Sequence, residues 1–258
     1  MHFLWVSIIN TLFMSKINHL SFYTISFFVL FSCNNPSLVK PKNSSPTIND
    51  KVMTPEEQKL LTADSVIKIL KNGNEHFYKN KLTLKNDSLR IHLTASGQYP
   101  MAAILSCADS RVPVEEVFDK GIGDLFVTRV AGNVADVDIL GSLEYACRVS
   151  GVKVIMVLGH EHCGAIKAAI DGVKTGNLTP LMAEIEPAVD SVKISGKKTS
   201  KNDWLVHAVA IKNIQLTIKK ILDNSKLLKN LEQKNAIKIL GGIYNLDSGR
   251  ITFINPGN

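Results

Sequence analysis

The sequence predicts a single α/β domain built on one mostly parallel β-sheet, with about four parallel strands, an antiparallel C-terminal edge strand and flanking helices. Three near-continuous apolar segments, residues 101–107, 124–130 and 152–160, are typical of strands covered on both faces. Helical stretches separate them, and strands that alternate with helices favour a parallel sheet. Near the end of the chain, segments 238–245 and 249–254 are joined by Leu-Asp-Ser-Gly, which is a hairpin signal.

The helices are predicted from caps and apolar periodicity. The first begins at Thr54, an N-cap that is followed by Pro55 and by a glutamate three residues after the cap. Pro113 marks a second helix start. One helical face is formed by Ile139, Leu140, Leu143, Ala146 and Cys147. Two longer helices are expected around 179–194 and 202–223.

Composition limits the classes of partner. The chain has 258 residues, of which 45% are hydrophobic, so it can bury one sizeable core. Its formal charge is +7, but the lysines are scattered among acids and amides. Solvated helix faces explain such a distribution better than a polyanion site, and we expect no nucleic-acid partner.

The first 33 residues have the character of an export signal. From Leu20 the chain has no charge for 14 residues, which is too short to cross a bilayer as a helix but fits a signal-peptide core. The segment ends in Leu-Phe-Ser followed by Cys33, which resembles a bacterial lipobox with Cys33 as the lipidated residue. An uncleaved anchor helix over 3–32 is the alternative, and Met14 is a second candidate initiator. Either reading places the protein in the bacterial envelope, with a periplasmic lipoprotein favoured.

Residues 34–53 are rich in Asn, Ser, Pro and Lys and contain few large apolar side chains. Such a composition is typical of a flexible tether. The domain is therefore expected to span 54–258.

Cysteine and histidine side chains follow two of the predicted strands. Cys107 and His160 end their strands at the edge where open α/β sheets collect ligands. Cys163 follows His160 at a spacing that, on a helix start, lets both side chains converge. Two thiolates and an imidazole select Zn²⁺, and three ligands leave a fourth position for chemistry. His162 would point about 100° away on the same helix, so His160 is assigned as the ligand.

Alternatives remain open for these residues. Cys107 and Cys163 could form a disulfide in an exported protein, although a disulfide requires neither His160 nor the neighbouring acid and arginine. Cys147 is expected to be a small core residue, and His162 a solvated residue at a helix start.

Four motifs together resemble the β-class carbonic anhydrases. They are CADSR at 107–111, GDLFVTRVAGN at 123–133, LEYA at 143–146 and GHEHCG at 159–164. The resemblance extends from about Thr54 to the final GGIYNLDSGRITF. It implies one Zn²⁺ per subunit, held by Cys107, His160 and Cys163, and reversible hydration of CO₂ to bicarbonate. Zinc lowers the pKa of a bound water. Because two thiolates cancel the charge of the ion, this water should ionise less readily than on a site of three neutral histidines. Higher pH should therefore favour activity.

Asp109 and Arg111 have a mechanistic interpretation in this resemblance. Asp109 can accept a hydrogen bond from the activated water, or it can occupy the fourth zinc position and close the site. Arg111 can hold the carboxylate bidentately and keep it away from the metal. A surface ion pair is the alternative reading.

The resemblance also implies a substrate pocket and an assembly. Gln98 and the Gly164 backbone N–H would donate to substrate oxygens, and Phe126 and Tyr145 would form apolar walls, with the tyrosine side contributed across a subunit boundary. A homodimer or tetramer is therefore expected. Some relatives carry a tryptophan where this chain has Ile104, so an inhibitory bicarbonate pocket is not expected here, although Arg129 is present.

Two rival functions share much of this pattern. Carbonyl sulfide and carbon disulfide hydrolases use the same fold and zinc set and differ in the width of the pocket. A catalytically silent, zinc-stabilised binding module is the other alternative. Retention of both Asp109 and Arg111 argues against the silent module, since a structural zinc site requires neither residue.

Overall fold

The computed structural model describes residues 48–49 and 51–254. The predicted signal segment, with Cys33, and most of the predicted tether lie outside the described residues. No helix in the described part of the chain combines the length and apolarity that a membrane span requires.

The centre of the fold is a five-stranded sheet. The described residues form seven strands in all, which are β1 (Ile48–Asn49), β2 (Leu84–Lys85), β3 (Ala102–Ser106), β4 (Leu125–Arg129), β5 (Val154–His160), β6 (Lys238–Tyr244) and β7 (Ile251–Ile254). The order in the central sheet is β4-β3-β5-β6-β7, while β1 and β2 form a separate parallel pair. Strands β4, β3, β5 and β6 are parallel, and β7 runs antiparallel to β6. The predicted fold class is confirmed.

Helices cover this sheet. They are α1 (Pro55–Leu60), α2 (Ala63–Tyr78), α3 (Asp87–Thr94), α4 (Val114–Val117), α5 (Val137–Arg148), α6 (Gly164–Ile170), α7 (Leu178–Ser191), α8 (Asp203–Asn224) and α9 (Lys226–Gln233). The helix start at Thr54 is confirmed, because Thr54 Oγ1 accepts from Glu57 N at 3.3 Å and Glu57 Oε2 accepts from Thr54 N at 3.2 Å. A short 3₁₀ turn, Ala131–Asn133, links β4 to α5.

Both faces of the central strands are buried, which explains their continuous apolar sequence. Leu105 and Ile155 belong to the core beneath α5 to α9, whereas Ile104 and Met156 belong to the core on the opposite face, with α2 and α4. All four side chains are fully buried. Successive residues of a strand point to opposite faces, so each strand needs apolar residues at every position.

Ordered structure begins earlier than the sequence predicts. Within the segment interpreted as tether, β1 pairs with β2. The buried Arg90 guanidinium donates to the Lys51 carbonyl at 2.6 Å and also pairs with Asp124 at 2.6 Å. Backbone pairing and carbonyl capture do not require apolar side chains, so composition gave no signal for this order.

Candidate metal centre

Three potential ligands converge at the carboxyl edge of the sheet. Cys107 follows β3, His160 ends β5, and Cys163 is the N-cap of α6. All three residues are at least 96% buried, and their potential ligand atoms lie within 4.8 Å of one another. The register of β3 against β5 pairs Ser106 with Leu158, which brings the two strand ends side by side.

A turn, and not a helix, brings His160 and Cys163 together. The expected placement of both on one helical face is wrong, because His160 is still in β5 and α6 begins only after Cys163. Between them His162 has φ +52°, in the left-handed region. Its side chain is half-exposed, with Nδ1 at 3.5 Å from Asp203 Oδ1.

The two cysteines are free thiols, so the disulfide alternative is contradicted. Their Sγ atoms are 3.9 Å apart, and a disulfide requires about 2.05 Å. The Gly132 N–H donates to Cys107 Sγ at 3.4 Å. Cys147, predicted to be a core residue, is half-buried on α5, and burial raises the pKa of its thiol to about 12.

Hydrogen bonding shifts the pKa values of the two thiols in opposite directions. The hydrogen bond from Cys163 is the largest of several contacts that lower the pKa of Cys107 to about 4, against the opposing effect of burial. The same bond, together with burial, raises the pKa of Cys163, although the N–H groups of Ala165 and Ile166 at the start of α6 oppose this rise. The protein alone therefore favours one thiolate. A second thiolate requires a cation to balance its charge.

A hydrogen bond at Nδ1 orients the His160 ring and leaves Nε2 available as a ligand. Its Nδ1 donates to the Glu161 carbonyl at 2.9 Å, which assigns the proton to Nδ1 and leaves a lone pair on Nε2. Nε2 is buried and has no hydrogen-bond partner among the described residues. An unsatisfied buried nitrogen is costly, and a metal ion would satisfy it.

The donor set fits zinc. Two sulfurs and one imidazole nitrogen are typical zinc ligands. Two Zn–S bonds of about 2.3 Å at a tetrahedral angle place the sulfurs roughly 3.8 Å apart, and the observed separation is 3.9 Å. The three groups thus have the chemistry and the spacing for a zinc site with one position left open.

The Asp109 carboxylate lies beside this group and is hydrogen-bonded to Arg111. Arg111 Nε donates to Asp109 Oδ1 at 2.9 Å and Nη2 donates to Oδ2 at 2.8 Å, while Arg111 N adds a third bond at 3.0 Å. These bonds hold the pKa of the Asp109 carboxyl well below its usual range. Asp109 Oδ2 is 3.7 Å from His160 Nε2. The carboxylate is therefore ionised, oriented and close to the open position.

Arg129 fixes the loop that carries Cys107 and Asp109, a role that sequence reasoning missed. Arg129 Nε donates to the Cys107 carbonyl at 3.0 Å and Nη2 donates to the Asp109 carbonyl at 2.6 Å. The signal was its position at the end of β4, because parallel pairing sets Arg129 opposite Ser106. The guanidinium holds the loop through its backbone, so the side chains stay free to act.

The residues predicted for the substrate side are only partly brought together. The Phe126 and Tyr145 rings are in contact, with centroids 6.1 Å apart, and Tyr145 is 50% exposed. Gly164 begins α6 with open space where a side chain would lie. Gln98 lies before β3, whereas Cys107 follows it, so the length of the strand separates them within one subunit.

Known proteins share this sequence and this fold. The family model for carbonic anhydrase matches residues 102–251. Carbonic anhydrase 2 of Mycobacterium tuberculosis is 36% identical over 190 residues, which cover 71% of this chain and 88% of that protein. The carbonic anhydrase of Mycolicibacterium smegmatis is 33% identical over 187 residues, covering 71% and 89%. A β-carbonic anhydrase of Aspergillus fumigatus has the same fold at a TM-score of 0.58, with 21% identity over 76% of this chain and 91% of that one.

We predict that Cys107→Ser, His160→Ala and Cys163→Ser each lose bound zinc, because a hydroxyl or a methyl group cannot replace a thiolate or an imidazole. Zinc content after purification and affinity in competition with a chelator measure this. Cys147→Ser, which removes a thiol outside the group, is the matched control and should retain zinc. Full zinc occupancy in any of the three variants would remove that residue from the ligand set.

Proposed function

The chain belongs to the β-class carbonic anhydrase family, and we propose that it catalyses the zinc-dependent, reversible hydration of CO₂ to bicarbonate and a proton. The observation that carries this function is the buried group of Cys107, His160 and Cys163, with the unpartnered His160 Nε2 directed into it. Family membership alone does not require an intact site. The support from the geometry is that the three potential ligand atoms lie within 4.8 Å of one another and that a carboxylate lies beside them.

We propose that Cys107, His160 and Cys163 hold one Zn²⁺. When bound, this ion supplies a Lewis acid that makes a water nucleophilic near neutral pH. The hydrogen bond from His160 Nδ1 to the Glu161 carbonyl fixes the ring, so that Nε2 would be the atom that holds the ion. Burial of the sulfurs excludes competing solvent from the ligand atoms.

Asp109 has the geometry to orient the attacking water. Its lowered pKa keeps the carboxylate ionised, so it can only accept hydrogen bonds. Its Oδ2 atom is 3.7 Å from His160 Nε2. An acceptor at this point aligns the O–H bond of the nucleophile and directs its remaining lone pair towards the substrate. Arg111 keeps the carboxylate in this orientation through two parallel donors.

We propose that CO₂ is bound between apolar and donor groups near this point. Phe126 and Tyr145 provide an apolar aromatic surface, and the Gly164 N–H at the start of α6 is a donor for an oxygen that gains negative charge. Gln98 is the remaining predicted donor. Because β3 separates it from the site of its own subunit, we propose that Gln98 acts in the site of a second copy.

A homo-oligomer, a dimer or a tetramer, agrees with the surface of α5. Val137 and Tyr145 of this helix are 78% and 50% exposed, and Val149, its C-cap, is 63% exposed. Exposed large apolar side chains along one helix are a surface that a protein interface would cover. One chain from the crystal structures of two tetrameric β-carbonic anhydrases of Sordaria macrospora is 23% identical to this chain, with a TM-score of 0.55 over 74% of this chain and 91% of that one.

We further propose that the enzyme is exported and anchored by a lipid on Cys33. The support is the uncharged run of 14 residues that ends at this cysteine, followed by a polar segment. Anchoring would place CO₂ hydration in the bacterial envelope, where bicarbonate and a proton are released outside the cytoplasm.

Stopped-flow measurement with a pH indicator tests the proposed reaction. We predict that the full chain accelerates CO₂ hydration in proportion to its zinc content, and that Cys147→Ser does the same. A zinc-loaded protein that hydrolyses CS₂ but does not hydrate CO₂ would contradict the proposal, as would a zinc-loaded protein with neither activity.

A double-variant comparison tests the Asp109–Arg111 pair. Arg111→Ala should retain zinc and lose most activity, because the released carboxylate can occupy the open position. Asp109→Asn should also retain zinc and lose most activity, since an amide is a poor acceptor for orienting water. In the double variant, removal of Arg111 should then add little further loss. Independent, multiplicative losses would show that Arg111 acts on the substrate or on folding.

Sedimentation velocity of the full chain in detergent tests the oligomer. We predict a dimer or tetramer that dissociates when Val137→Glu and Val149→Glu are combined, because two buried charges would oppose the apolar contact. Lys193→Glu, a charge change at an exposed position after α7, should leave the mass unchanged. A wild-type mass equal to one chain would refute the assembly.

Lipid labelling and membrane fractionation in a bacterial host test the anchor. We predict that Cys33→Ala abolishes both the incorporation of labelled fatty acid and retention in the membrane fraction, because the segment offers no other thiol acceptor. Cys147→Ser should leave both unchanged. Membrane retention of Cys33→Ala without label would favour an uncleaved anchor helix.

A further inference from the structure

A buried amide on α8 is linked to the metal centre through one glycine. Asn213 is 2% exposed and lies among apolar residues of the helix, including Val209, Ala210 and Ile214. Its Nδ2 donates to the Gly132 carbonyl at 2.7 Å. An amide in such a position is costly unless it is hydrogen-bonded, so this single bond gives the buried Asn213 a defined partner.

The peptide unit between Gly132 and Asn133 is held at both ends. At one end, Asn213 donates to the Gly132 carbonyl. At the other end, the Asn133 N–H donates to the Val130 carbonyl at 2.9 Å. The preceding peptide carries the Gly132 N–H, which donates to Cys107 Sγ at 3.4 Å. Only the φ and ψ rotations of Gly132 separate the two peptides. The Asn213 hydrogen bond therefore restrains the direction in which the Gly132 N–H points towards Cys107 Sγ.

The backbone at position 132 favours glycine, and the freedom of a glycine gives this support its purpose. Gly132 has φ +76°, and a Cβ there would lie 2.6 Å from Ile185 Cδ1. A glycine meets both constraints, but it also has the widest range of backbone conformations. Without an external bond, the turn could rotate the N–H away from the sulfur. Asn213 supplies the restraint that the glycine lacks.

We propose that Asn213 is a positioning residue that aims the Gly132 N–H at Cys107 Sγ and thereby sets the electron density on that sulfur and the zinc affinity of the site. This inference rests on the proposed zinc site. Hydrogen bonds to ligand sulfurs tune metal sites, and loss of such supporting partners typically costs about 10–100-fold in metal affinity. Because Asn213 acts through one intervening residue, we expect a loss near the lower end, about tenfold.

Asn213→Leu tests the inference, since leucine has a similar size but no donor. A cavity of about 310 Å³ lined by Asn213 and Thr217 leaves room for the altered shape. Thr217→Val is the matched control, because Thr217 is also buried on α8, one turn further on, at 4% exposed. Zinc affinity is measured in the full chain by competition with a chelator. The sulfur-to-metal charge-transfer band is measured after replacement of zinc by Co²⁺.

We expect Asn213→Leu to bind zinc about tenfold more weakly and to shift the charge-transfer band to lower energy, because a sulfur without its N–H donor holds its electrons less tightly. Thr217→Val should change neither property. If Asn213→Leu lowers thermal stability but leaves affinity and band unchanged, the residue is only structural and the inference fails.

Two further outcomes are decisive. If Asn213→Leu does not fold, the same measurements are made on Asn213→Ala, and failure of both variants to fold would show that the bond supports the fold and not the thiolate. If the wild-type chain binds no zinc, the zinc site itself is refuted. Zinc binding that is insensitive to Asn213 refutes only the present inference.

Discussion

The parallel register of β3 against β5 is the constraint on which the site depends. Ala102 lies opposite Val154 and Ser106 opposite Leu158, so Cys107 follows β3 close to the level of His160, where β5 ends. The register thereby brings Cys107 and His160 to the same edge of the sheet. A shift of one residue would turn every side chain of the strand to the other face, and the close packing of specific side chain shapes in both cores opposes such a shift.

The centre combines a rigid edge with polar atoms that the protein leaves incompletely satisfied. His160 Nε2 has no hydrogen-bond partner in the part of the chain that the structure describes, and the two buried thiols differ in their tendency to ionise. Around them, backbone carbonyls are bound by Arg129, and a backbone N–H reaches Cys107. The protein itself therefore holds the backbone around the ligand atoms in place. Such preorganisation limits the rearrangement that metal binding requires.

Sequence reasoning identified the fold and the residues of the centre, but not how they meet. Continuous apolar strands and ordered motifs sufficed to predict the sheet and to select Cys107, His160 and Cys163. The turn at His162 was missed, because a left-handed histidine has no distinctive sequence pattern. The ordering of Ile48, Asn49 and Lys51 was missed because it uses backbone groups. Asn213 carried one faint signal, a lone amide on an apolar helix face, which acquires meaning only once Gly132 is placed beside it.

X-ray absorption at the zinc edge of the full chain shows whether two sulfurs and one imidazole at the sheet edge hold zinc. We expect two sulfur neighbours at about 2.3 Å, one imidazole nitrogen at about 2.0–2.1 Å and one further light atom. A zinc ion surrounded only by nitrogen and oxygen, or with a single sulfur, would contradict the account, because Cys107 and Cys163 would then not both be ligands.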